Sequence, residues 1–224
     1  MNNQWDILKD SLSEIAVFSN PNNKPVSIEK YNSSLDCIGI GTDAAVFRSN
    51  LVPRFAFKVF AEDKLHKLHE EERVYSMLGN SPRFASCFGT HHNVLVLSYE
   101  DGDTLYDCIV KGTHISEQVI IDVDQARNHA IEKGLNPRDI HLKNIIMQNG
   151  RAKLIDVSEY TKPGNDFRWE HLKKAYEEYY SIIDGKKVPV WLVDLLRESY
   201  NQRSSNQTYE DFMKSILKFK ALLK

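Results

Sequence analysis

Cysteine is scarce in this 224-residue chain: Cys37, Cys87 and Cys108 are widely spaced, odd in number and form no CxxC pair. That excludes a disulfide framework and a thiolate metal cage, and fits free thiols in a reducing compartment. Long apolar runs are missing too; nothing approaches the ~18 apolar residues of a membrane span. The opening stretch MNNQWDILKDSLSEIAVF carries Asp6, Asp10 and Glu14 and has no apolar centre, so it does not read as a secretory leader. Nor is there an excess of either charge. Lys and Arg total 29 against 31 Asp and Glu, a net charge of −2, which gives no bulk pull toward nucleic acid. No internal repeat or low-complexity tract interrupts the chain. These absences predict a soluble, cytoplasmic protein with neither a membrane nor a nucleic-acid partner. Its length and 42% hydrophobic content suffice for one sizeable core or two small lobes.

What is present changes texture along the chain. Trp5, Leu8, Leu12, Ile15 and Val17 recur at near-helical spacing and predict an amphipathic helix over 4–18, within an N-terminal segment 1–18. SNPNNKP is a turn-rich break. The runs SLDCIGI, DAAVFRS and FAFKVF read as strands. A charged helix over 63–78 follows, with Leu65, Leu68, Val74 and Leu78 on one side and Gly79-Asn80 at its end. FASCFGT and NVLVLSY predict an antiparallel strand pair. From Thr104 the pattern turns helical. One helix is capped by Asp103 or Thr104, and a longer one spans 116–134 with a capping signal at Ser116. A hairpin IIMQNGRAKLID turns at Asn149-Gly150, and helices, YEDFMKSILKFKALLK among them, run to the end. The expected fold class is therefore α+β in two lobes. Residues 26–100 form an antiparallel sheet with one helix, and residues 101–224 are mostly helical. They join near SYEDGD, an acidic, glycine-containing link.

Four pieces carry candidate chemistry. In IGIGTDAAVF, Gly39, Gly41 and Ala44 occupy G-x-G-x-x-A, followed by Val46. Glycines let backbone N–H groups approach phosphate oxygens, although an ordinary hairpin turn reads the same way. The strand-like sequel excludes a dinucleotide fingerprint, which needs a helix there. Lys58 in FAFKVF either faces solvent or reaches phosphate oxygens with a helix carboxylate behind it. Of Glu70, Glu71 and Glu72, Glu71 stands four residues before Tyr75 on the packed side and is the expected partner; Glu72 is the reserve. NPRDIHLKNIIM supplies Asp139, able to align a hydroxyl or take its proton, and Asn144, a neutral oxygen donor for a hard cation. Read alone, it could be a polar turn before a strand. Asp156 ends the second strand of the hairpin, so the turn at Asn149-Gly150 returns it to the rim where Asn144 precedes the first.

Taken in order, glycine loop, strand Lys, helix Glu, D-x-x-x-x-N and a later Asp resemble the protein-kinase-like superfamily. The resemblance spans roughly residues 35 to 160 and rests on order and spacing rather than on any one motif. It implies the bilobal kinase-like fold, with ATP and Mg²⁺ as cofactors. Gly39, Gly41, Ala44 and Val46 would cover the nucleotide, Lys58 would grip its phosphates, and Glu71 would orient Lys58. Asp139 would face the acceptor hydroxyl, and Asn144 and Asp156 would hold Mg²⁺. Leu97 would back the nucleotide pocket, with the link at Ser98, Tyr99 and Glu100 against adenine.

The departures are specific. The family's H-R-D reads Pro137-Arg138-Asp139, its D-F-G reads Asp156-Val157-Ser158, and no A-P-E follows. The short remainder after Asp156 implies a reduced second lobe, similar in economy to the Rio and Bud32 groups and to small bacterial Ser/Thr kinase-like proteins. D-I-H-L-K-N also resembles the loop of aminoglycoside, choline and sugar kinases. His141 stands where Ser/Thr kinases often keep a Lys on the γ-phosphate, and Lys143 is expected to be solvated. The expected activity is phosphoryl transfer to a Ser/Thr hydroxyl of a protein. A small-molecule acceptor and a nucleotide-binding interaction module are the alternatives. Trp169, Tyr176, Tyr179 and Tyr180 read as core, with a partner surface as the other reading.

Overall fold

A computed structural model describes residues 4–201. The helix expected over 4–18 is corrected. A 3-10 turn (Gln4–Leu8) runs into a short α1 (Lys9–Ser13), and β1 (Ala16–Phe18) then pairs antiparallel with β2 (Ser27–Lys30). Trp5, Leu8 and Leu12 keep helical spacing, whereas the β-branched Ile15 and Val17 are two apart, the period of a strand. All five are buried, so the burial expected of them holds although the element changes.

The next strands are β3 (Asp36–Ile40), β4 (Ala44–Arg48) and β5 (Phe55–Phe60). A 3-10 turn (Glu62–Lys64) leads into α2 (Leu65–Leu78), and β6 (Cys87–His91) and β7 (Val94–Ser98) follow. They form one antiparallel sheet in the order β3-β4-β5-β7-β6. The strand expected from Phe84 starts only at Cys87; Phe84 instead makes a single parallel bridge to Leu154.

Alternation divides the sheet into two faces. Ala45, Phe47, Phe55, Phe57, Val59, Val94 and Val96 pack with Trp5, Leu8 and Leu12, so the N-terminal segment covers that side. Ala44, Phe60, Leu95 and Leu97 face the other way. They share a continuous core with Leu68, Val74 and Leu78 of α2 and with the second half of the chain.

That half begins with the two-residue β8 (Asp103–Thr104) and α3 (Leu105–Lys111). Of the two caps offered, Thr104 is the one used, in a reciprocal capping box with Asp107. Gly102 is sterically required just before it: a Cβ there would lie 2.5 Å from the Met147 carbonyl oxygen. Next come α4 (Glu117–Glu132), the hairpin β9 (Ile145–Gln148) and β10 (Arg151–Leu154), α5 (Arg168–Ile183) and α6 (Val190–Asn201). Ser116 precedes α4 as expected but makes no side-chain cap hydrogen bond. Asn149 and Gly150 both have positive φ, 52° and 73°, the pairing that closes a two-residue hairpin with the right twist. Trp169 is buried in the core, with Tyr176 and Tyr180 packed against it. The helix expected in YEDFMKSILKFKALLK lies outside the described residues.

One polar group ties helix to hairpin. Asp122 of α4 is 2% exposed. Its carboxylate accepts from Arg151 Nε and Nη2, both at 2.7 Å, from the Ala152 N–H at 3.0 Å and from Gln118 at 3.0 Å. Arg151 holds the carboxyl down from 3.8 to about 2, burial opposing. A depressed carboxylate stabilises the fold above its unfolded value and loses that contribution as pH falls through its folded one. Asp122→Ala is expected to cost about 2 kcal/mol at pH 7. The gap to wild type in urea midpoints should narrow between pH 4 and about 2.

Candidate active site

Cross-strand register puts Val46, Lys58 and Leu95 in one row on the core-facing side of the sheet. A lysine there cannot reach bulk water freely and needs a counter-charge. Glu71 supplies it: Lys58 Nζ donates to Oε1 at 2.9 Å and to Oε2 at 2.7 Å. Asp156 Oδ1 lies 3.5 Å from the same ammonium. Burial alone would lower the Lys58 pKa, and the carboxylates of Asp156 and Glu71 raise it above the ordinary lysine value. Burial pushes Glu71 the other way, up, and Lys58 counters it. Two short hydrogen bonds to one ammonium make this an ion pair. Glu71 is fully buried on the α2 face that includes Tyr75, whose hydroxyl donates to the Ile155 carbonyl at 3.1 Å. The reserve, Glu72, instead accepts from Thr90.

The β9–β10 hairpin brings the oxygen donors to this lysine. The Ile155 N–H donates to the Asn144 carbonyl at 3.1 Å, so the hairpin's two ends meet. One detail is corrected: β10 ends at Leu154, and Asp156 sits two residues beyond it, outside the strand. There Oδ1 accepts the Ser158 N–H at 3.1 Å. Burial would raise the Asp156 carboxyl, but the Lys58 charge and the Ser158 hydrogen bonds hold it below its usual range. Asn144 Nδ2 donates to the Asp139 carbonyl at 3.0 Å, so its amide oxygen is not the atom used in that bond. Among the described residues no three His, Cys, Asp or Glu side chains converge on a metal position. An amide oxygen plus one carboxylate is nevertheless a donor set that fits Mg²⁺ completed by phosphates and water.

Asp139 is held in the left-handed region, φ 56°. Its N–H donates to Asp166 Oδ2 at 2.7 Å, and Arg168 Nε lies 3.4 Å from its Oδ1. Burial pushes the Asp139 carboxyl up, to about 6, against the pull of Arg168. Burial, with Arg168 nearby, lowers His141 to about 4, so its ring is neutral near pH 7. Asp166 and Arg168 were not legible as site residues. The only signal was an Asn-Asp pair ahead of an amphipathic helix, which marks a helix start in any protein.

The glycine segment turns between β3 and β4, with the Gly41 N–H on the Ala44 carbonyl at 2.8 Å. The Gly41 carbonyl in turn accepts the Val26 N–H at 2.8 Å, which ties the turn to the residue that precedes β2. Neither Gly39 nor Gly41 has positive φ, and a Cβ on Gly39 would meet Val46 at an ordinary 3.7 Å. A Cβ on Gly41 would come to 3.4 Å of the Ala44 carbonyl oxygen, so the turn does not demand Gly39 and leaves less room at Gly41. Ala44 and Leu97 are buried in the same core cluster, and Val46 is half-buried. Glu100 is buried and pairs with Lys153 at 2.6 Å and with the Ser98 hydroxyl. The Tyr99 side chain makes its contacts away from Lys58. Its ring lies under Arg48 at 4.5 Å, and with Trp5, Arg54, Phe88, Ser98 and Glu100 it lines a cavity of about 770 Å³.

Removing one partner of a buried pair strands the other, at a cost of roughly 3 kcal/mol. Glu71→Ala should lose about that much in urea unfolding. The double replacement Lys58→Met, Glu71→Leu should recover most of it. Equal losses in the two proteins would contradict the pairing.

No protein-family model matches the chain. It is 31% identical over 178 residues to a Bacillus subtilis (strain 168) protein named "Putative serine/threonine-protein kinase YrzF". The match covers 78% of this chain and 83% of that protein. At that identity over that length, the chain belongs to the kinase-like family of which the Bacillus protein is a member.

Proposed function

We propose that the protein moves the γ-phosphate of ATP to a hydroxyl, with Ser or Thr of a protein as acceptor. The observation that carries this is the meeting at Lys58 of Glu71 from the sheet half and Asp156 from the hairpin, with Asn144 and Asp139 on the adjoining loop. In this reading residues 26–100 are a nucleotide-binding lobe and residues 101–224 a reduced catalytic lobe. Ala44, Val46 and Leu97 enclose the base, and the backbone from Ser98 to Glu100 meets adenine. Gly39 and Gly41 leave the turn thin above the phosphates.

Positioning and charge do the catalytic work. Glu71 keeps Lys58 extended so that its ammonium can bind phosphate oxygens. Asn144 and Asp156 would hold Mg²⁺, which supplies neutralising charge to the phosphates when bound. Asp139 aligns the acceptor hydroxyl and takes its proton. The missing Phe and Gly after Asp156 do not weaken this reading. Val157 is fully buried in the core, and the Ser158 N–H orients the Asp156 carboxylate, so the metal-binding Asp has its own support. The name of the Bacillus relative favours a protein acceptor over a small molecule.

Asp139→Ala and Asp156→Ala should each lower transfer from γ-labelled Mg·ATP by ~10³ or more. Asp139→Ala should keep the thermal shift that Mg·ATP induces, and Lys58→Met should lose it. Transfer at the wild-type rate by either Asp variant would contradict the assignment. Because the carboxylate form of Asp139 accepts the proton, kcat/KM should fall as pH drops through about 6.

A further inference from the structure

The acceptor side of the site is crowded with negative charge: Asp156, Asp166 and Glu159 all act on Asp139. A triphosphate would add more. Most nearby cations are committed elsewhere. Lys58, held by Glu71 and close to Asp156, serves the phosphates on the nucleotide side rather than the acceptor side. Lys143 lies over the Tyr106 ring at 4.3 Å, and His141 is neutral near pH 7. Lys162 pairs with Glu159 at 2.6 Å, and Arg138 donates to the Pro163 carbonyl.

Arg168 differs. Its Nε stands 3.4 Å from Asp139 and 3.7 Å from Asp166. Both distances lie in ion-pair range but beyond the roughly 2.7–2.9 Å of a charge-assisted hydrogen bond. Among the described residues its guanidinium makes no closer polar contact, and the side chain is 29% exposed. The backbone beneath it is fixed. The Arg168 N–H donates to Asp166 Oδ1 at 3.1 Å, and the adjacent Trp169 is buried with its indole N–H on Asp124 at 2.7 Å. A rigid helix start therefore presents a loosely held guanidinium beside the group that would align the acceptor.

We propose that Arg168 is a catalytic residue that contacts the phosphoryl group as it passes to the hydroxyl aligned by Asp139. The proposal rests on the phosphotransfer reading. In that step the bond from the γ-phosphorus to the bridging oxygen breaks and its electron pair leaves with ADP. The acceptor oxygen forms the new P–O bond, and its proton passes to Asp139. Negative charge spreads over the three non-bridging oxygens. A planar, permanently charged guanidinium can meet two of them through parallel N–H donors held in a fixed fork, a geometry that an ammonium does not preset.

The test uses the full chain with γ-labelled Mg·ATP as donor and the chain itself plus casein as acceptors. Arg168→Ala should lower kcat by ~10²–10³ while the KM for ATP moves little. Arg168→Lys should recover only part. Millimolar guanidinium chloride should raise the rate of Arg168→Ala and leave wild type unchanged, and equal sodium chloride should do neither. A purely structural role would not give rescue by guanidinium. Wild-type or faster transfer by Arg168→Ala, or a loss that guanidinium does not relieve in either a folded Arg168→Ala or Arg168→Lys, would overturn the proposal. Absence of transfer by wild type would overturn the phosphotransfer reading, and this inference with it.

Discussion

The rest of the structure depends on keeping one ammonium charged at the base of a sheet face that is otherwise packed with hydrocarbon. Lys58 alternates with Phe57 and Val59, both fully buried, so the strand that carries it cannot turn it to water. An unpaired charge there would cost several kcal/mol, and the chain answers with carboxylates from two directions. Glu71 comes from α2, whose register is fixed by Leu68, Val74, Tyr75 and Leu78 on the same face. Asp156 comes from the hairpin, which Asp122 and the Tyr75 hydroxyl hold against the rest. Helix, sheet and hairpin are thus linked through the charges that form the site, so stability and site geometry are one problem.

Much of this arrangement was legible because it depends on spacing. The choice of Glu71 over its two neighbours needed only the four-residue step to Tyr75. The hairpin turn at Asn149-Gly150 followed from residues that tolerate positive φ, and it alone brings Asn144 and Asp156 together. The N-terminal segment was misread as one helix because Trp5, Leu8 and Leu12 do have helical spacing, and strand pairing with Ser27–Lys30 is a long-range fact that no window contains. Asp122 was invisible for a similar reason. A carboxylate inside an amphipathic helix looks solvated until Arg151 and the Ala152 N–H arrive from thirty residues away. Asp166 and Arg168 reach Asp139 only through the return of the chain after Asp156.

The departures from the kinase pattern take on meaning in the same terms. The family's first His is absent, and the Asp139 backbone, in a left-handed conformation, is held instead by Asp166. The glycine of the family's D-F-G is absent after Asp156, and Ser158 uses its backbone N–H to fix the Asp156 side chain. Hydrogen bonds among the described residues thus support both groups.

The central claim is that Lys58, Asn144 and Asp156 together form a cradle for a nucleotide triphosphate and its cation. The most direct measurement is a crystal structure of the full chain with Mg²⁺ and a non-hydrolysable ATP analogue. The account predicts phosphate oxygens on Lys58 Nζ, a cation between Asn144 Oδ1 and Asp156, and adenine against the backbone from Ser98 to Glu100. A nucleotide bound elsewhere, or a cation coordinated without Asn144 and Asp156, would contradict it.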